Sequence, residues 1–122
     1  MELALEYMQV GEKSVAVLVT GALETERQVT DLVGNASFAG AEYVLVNARD
    51  LAPEFFDLSS GLAGTVLQKF SNYRLTLIVV GYDQSQASES LRALIAESKR
   101  GGVVWFVDSR DEALARLDAV GL

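Results

Sequence analysis

Leu3, Leu5 and Tyr7 alternate with Ala4, Glu6 and Met8, the period of a half-buried strand. Gly11-Glu12-Lys13 reads as a turn, and the valine-rich run from Ser14 to Thr20 as a second strand, so the two form a hairpin. The pattern then changes to helical spacing. Thr25 with Gln28 fits a capping box, Val29, Leu32, Val33 and Ala36 recur on one face, and Gly40 marks the stop. Tyr43 to Val46 is a short apolar strand. Leu75 to Val80 is almost wholly apolar, as a strand buried on both faces should be. Between them lie a loop and then a helix from about Ser60 to Ser71. Ser88 to Arg100 reads as a helix with Leu91, Leu94 and Ile95 inward. Lys99 and Arg100 suit the negative end of its dipole and Gly101 its cap. Val103 to Val107 is a further buried strand with the only tryptophan, and Arg110 to about Ala119 a last helix.

The predicted order is β-β-α-β-α-β-α-β-α. Helices alternating with apolar strands imply right-handed crossovers and a mainly parallel α/β sheet covered on both faces, with the first strand antiparallel at an edge. Five strands and about four helices in one domain suit 122 residues, half of them apolar. No repeat, linker or low-complexity tract interrupts the chain.

In such sheets ligands meet the carboxyl ends of the strands. The loop Glu54-Phe55-Phe56-Asp57-Leu58-Ser59-Ser60-Gly61 leaves the third strand there, and Gly81-Tyr82-Asp83 the fourth, so both belong on one rim. Asp57, Ser59, Ser60, Gly61 and Gly64 crowd the start of an apolar helix, where free N–H groups and a positive dipole end gather. One cap needs one residue. Two readings stand side by side: N-capping alone, or an anion site or phosphorylation site in addition to capping. Two glycines in one turn are costly in a helix and are expected to allow close helix–sheet packing, the alternative being the approach of a ligand. Of Phe55 and Phe56, one should enter the core and the other cover the rim or meet a partner, which also makes a homodimer an expectation. Gln68, Lys69, Asn72 and Arg74 read as a solvated face, and Glu97, Lys99 and Arg100 as an ion pair or cap on the opposite rim.

Composition narrows the chemistry. Cysteine and histidine are both absent, which excludes disulfides, thiolate nucleophiles, imidazole bases and Cys or His metal sites within this chain. Any acid–base chemistry would fall to Asp57, Glu54, Asp83 or Tyr82. A hard cation on Asp57, Asp83 and Glu54 lacks the spaced Asp-x-Asp array that such a site needs, so no metal or other cofactor is expected. Gly-Lys-Ser/Thr is missing, so the glycines do not form a P-loop. Seventeen acids against ten bases give a net charge of −7, which disfavours nucleic acid and anionic membranes. No apolar run reaches membrane-spanning length and no signal-peptide pattern opens the chain, so a cytoplasmic location is expected.

The motifs Phe55-Phe56-Asp57-Leu58-Ser59-Ser60-Gly61-Leu62-Ala63-Gly64, Leu67-Gln68-Lys69-Phe70 with Asn72-Tyr73-Arg74, and Glu97-Ser98-Lys99-Arg100-Gly101 resemble a bacterial family catalogued as domain of unknown function 4180. Leu58-Ser59-Ser60-Gly61-Leu62 also resembles, more distantly, the Asp-Ser-Ser-Gly-Leu switch of STAS domains, the sulfate-transporter and anti-sigma-factor-antagonist modules. That likeness implies the same element order and sets Ser60 at the phosphorylated serine. The motif's aspartate is Leu58 here, with the acid one residue earlier at Asp57. Two readings follow: a non-enzymatic regulatory module that docks a protein partner and is switched at Ser59-Ser60, or a small enzyme or anion-binding protein using the same rim.

Overall fold

A computed structural model describes residues 3–119. Strands β1 (Ala4–Val10) and β2 (Lys13–Thr20) form the antiparallel hairpin. β3 (Tyr43–Asn47), β4 (Thr76–Val80) and β5 (Val104–Val107) then join in parallel, and the order across the sheet is the order along the chain. The apolar run Leu75–Val80 lies between β3 and β5, as a strand buried on both faces must.

Sequential right-handed crossovers place every connecting helix on one side. Helices α1 (Glu26–Phe38), α2 (Leu62–Asn72) and α3 (Glu89–Ser98) accordingly share one core with Ala16, Leu18, Val44, Val46, Leu77, Val79, Val104 and Phe106. The alternate strand positions, Val15, Val17, Leu45, Ile78, Val80, Trp105 and Val107, are covered by α4 (Arg110–Ala119) through Ala113 and Leu117. Both faces are covered, but three helices stand against one. Full burial of each large apolar side chain contributes about 1.5–3 kcal/mol.

Local chemistry sets the element ends. Thr25 and Gln28 form the reciprocal capping box at α1, and Ser88 caps α3 through Leu91 N–H. The helix expected from Ser60 begins at Leu62 instead. Gly61 at φ +82° interrupts the run, leaving Ser60 in a preceding 3₁₀ turn.

Arg116 joins the two layers around the β5 edge. Its guanidinium lies 4.0 Å from the Trp105 ring centroid and donates to Ser98 O at 2.8 Å, at the carboxyl end of α3. Burial lowers its pKa, with Glu112 acting in the opposite direction. The amino rim is drawn together by Glu42 N–H to Ser14 O, Thr76 N–H to Glu42 O and Leu77 N–H to Val103 O, at 2.8, 3.0 and 2.7 Å. Among the described residues no helix is long and apolar enough to cross a membrane.

Candidate functional site

From β3 the chain descends through three short 3₁₀ turns, residues 48–50, 53–56 and 58–60. Leu51 bridges Leu23, with Leu23 N–H on Asp50 O and Ala52 N–H on Leu23 O, so the β2 and β3 loops are tied together. Pro53 opens the second turn, where its fixed φ fits and its missing N–H costs nothing. Phe55, 1 % exposed, anchors the loop in the core. Phe56 stays half-buried and stacks on Tyr82 at 4.2 Å and 10°, with Phe55 edge-on at 5.2 Å. The loops after β3 and β4 therefore meet on one rim through an aromatic pair. Phe56 thus takes part of its cover from Tyr82 of the same chain.

Two turns on this rim repeat one device. Asp57 Oδ1 accepts Ser59 N–H at 3.1 Å and Ser59 Oγ at 2.6 Å. Asp83 Oδ1 accepts Ser85 N–H at 3.0 Å and Ser85 Oγ at 2.6 Å. Ser60 is exposed, yet its hydroxyl is engaged on both sides. It donates to Glu54 O at 2.7 Å and accepts Leu62 N–H at 3.2 Å. Ser60 thus links the 3₁₀ turns to the start of α2, a role that sequence spacing did not reveal.

The glycines correct an expectation. A Cβ at Gly61 or Gly64 would meet nothing within 4 Å, so neither serves close helix–sheet packing. Gly61 is required by its positive φ. Gly64 lies in ordinary helical conformation, exposed, where glycine costs about 1 kcal/mol against alanine. With Glu26, Gly61, Thr65, Gln68, Lys69 and Asn72 it lines an open depression of about 510 Å³. Lys69 Nζ meets Glu26 at 3.3 Å across it, and Gln68 Nε2 donates to Asn72 Oδ1 at 2.9 Å. Gln68 and Asn72 are exposed, as the solvated face read from sequence requires, and both line this depression.

The rim is acidic. Its loops, residues 21–25, 48–61, 81–88 and 108–109, carry Glu24, Asp50, Glu54, Asp57, Asp83 and Asp108, with Arg49 the basic residue among them. Part of this charge answers the positive ends of the helices that start here. The Ser85 hydroxyl, then its N–H, hold Asp83 below the usual carboxylate range, while burial and then Asp83 raise Tyr82. Among the described residues, no three Asp or Glu side chains gather where they could share a metal ion. Of the ion pair or cap expected from Glu97, Lys99 and Arg100, the cap is seen: Lys99 N–H donates to Ala96 O and Arg100 N–H to Glu97 O at the end of α3, while the salt bridge among the described residues is Lys69–Glu26.

Comparison with known families places this geometry in context. Residues 11–117 match the family described as Domain of unknown function (DUF4180), and the chain belongs to that family. No curated protein matches it.

Proposed function

We propose that this protein is a non-enzymatic interaction module. It receives a protein partner on the carboxyl rim and the outer face of α2, with the Ser59-Ser60 turn as its switch. Gly64 carries the reading. Its glycine has no conformational or packing reason, and its effect is to leave backbone bare on the floor of an open depression. The acidic rim suits a basic partner surface, whose approach it would steer. Asp83 is shifted down and Tyr82 up, both away from neutrality, so neither of these two is suited to acid–base work near neutral pH.

The switch reading is supported by the Ser60 bonds and by the likeness of Leu58-Ser59-Ser60-Gly61-Leu62 to the STAS motif. A phosphate ester at Ser60 leaves no O–H for Glu54 O and adds nearly two negative charges beside Glu54 and Asp57. The expected effect is release of the turn, which reshapes the surface offered to the partner, together with more negative charge facing a basic partner.

The test is affinity capture from the native host with wild type, Gly64→Trp, Ser60→Asp and Arg92→Trp, the last on the exposed surface of α3. Proteins retained by wild type and Arg92→Trp should be lost with Gly64→Trp and changed with Ser60→Asp. One unchanged set across all four folded proteins would sink the docking reading. A change with Gly64→Trp but not with Ser60→Asp would remove the switch alone.

A further inference from the structure

At the amino rim, α2 and α3 do not close against β5. Leu67 of α2, Leu94 of α3, Val103 and Val104 wall a cavity of about 240 Å³, also lined by Glu97, Ser98, Gly101 and Gly102. The local sequence keeps it open. Gly101 and Gly102 carry the chain from α3 to β5 at φ +102° and +116°, a path that L side chains rarely take. A Cβ on either would meet nothing within 4 Å. Leu67, Leu94 and Val103 remain half-buried, so their apolar surface is not satisfied by the fold.

The polar groups lining the cavity are mostly spent. Ser98 Oγ donates to Ile95 O at 2.6 Å, and Ser98 O accepts Arg116 and Gly101 N–H. Glu97 is different: it is exposed and makes no salt bridge among the described residues. It is also the one charged residue among those lining the cavity. Lys99 and Arg100 follow it in the chain but do not line the space. The volume falls below the roughly 300–1,000 Å³ of sites for drug-sized ligands, so a smaller molecule of about ten non-hydrogen atoms fits better.

We propose that this cavity binds a small primary amine with an apolar tail, an alkyl- or arylalkylammonium. The tail lies among Leu67, Leu94, Val103 and Val104, and the ammonium pairs with Glu97. This site lies between α2, α3 and β5, whereas the docking surface is the carboxyl rim and the side of α2 beside Glu26 of α1; the two share no lining residue, and either can fail without the other.

The experiment is a ¹H–¹⁵N NMR titration of the whole chain at fixed pH and ionic strength, with 2-phenylethylamine, 2-phenylethanol and phenylacetate as probes. The amine should give saturable shifts centred on Glu97, Gly101, Gly102 and Val103, with a dissociation constant of about 1 mM. The alcohol should bind several-fold more weakly, and the carboxylate not at this site. Glu97→Gln should reduce the amine to the level of the alcohol and leave the alcohol unchanged. Leu94→Trp should fill the space and abolish both. If Leu94→Trp does not fold, Glu97→Gln decides. Unsaturable shifts, shifts centred elsewhere, a carboxylate that binds better than the amine, or a Glu97→Gln protein that binds the amine normally would each overturn the proposal.

Discussion

The two ends of the sheet handle their loops in opposite ways. At the carboxyl end the loops after β3 and β4 are stitched to themselves. Asp57 and Asp83 clamp serines two residues on, Ser60 bonds both ways, and Phe56 stacks on Tyr82. At the amino end, paired glycines pass beside an apolar cavity and Glu97 makes no ion pair among the described residues. The end richest in chemistry-bearing residues has committed much of that chemistry to holding its own shape. The end made of leucine, valine and glycine is the one that leaves a cavity. Hydroxyls and carboxylates near a strand's end are therefore weak pointers to a ligand until their hydrogen bonds are counted.

The sharpest way to break this contrast is to loosen the stitched end. Phe55→Ala should lose about 3–5 kcal/mol in urea unfolding, because a fully buried ring is removed. Leu94→Ala, beside existing space, should lose no more than about 2 kcal/mol. Equal losses would mean that the amino end is as tightly packed as the other.

A smaller effect isolates the clamp. Asp57→Ala should cost about 1 kcal/mol and speed amide exchange at Ser59, the N–H that Asp57 accepts. Unaltered exchange would show that the 3₁₀ turn holds without it.

The smallest effect is pH-dependent. Asp83 is held below its ordinary value by Ser85, so its contribution is present above the unfolded carboxyl pKa and fades as pH falls through the lower folded value. The stability gap between wild type and Asp83→Asn should be constant from neutrality to about pH 5 and shrink in stronger acid. A gap that widened on acidification would reverse the assignment.

Much of the fold was legible. Strand and helix periods, the Thr25–Gln28 box and the stop glycines are local signals, and they place the elements within a few residues. The start of α2 was misread because Ser60 and Gly61 both suit a cap, and only the positive φ of Gly61 separates them. The rim was legible as a place, since topology alone brings the β3 and β4 loops together. Its bonding was not. Ser60 reaches Glu54 O across six residues, through turns that side-chain periodicity does not encode. Gly64 was misread because glycine in a sequence looks alike in a crowded contact and in open space. The cavity was invisible for a related reason. Leu67 and Leu94 announce inward faces, but not whether those faces meet anything.

Strand order that equals chain order has a consequence for synthesis. Each parallel strand pairs with the one made just before it, so every βα unit can dock as soon as it leaves the ribosome. On the side of α1, α2 and α3 the core can therefore grow one unit at a time. The opposite side follows another schedule. Val15, Val17, Leu45, Ile78 and Val80 wait uncovered until α4 arrives, and Arg116 then clasps that helix to the end of α3. Until then a nascent chain carries a strip of valine, leucine and isoleucine, the kind of surface by which chaperones distinguish an unfinished protein from a finished one.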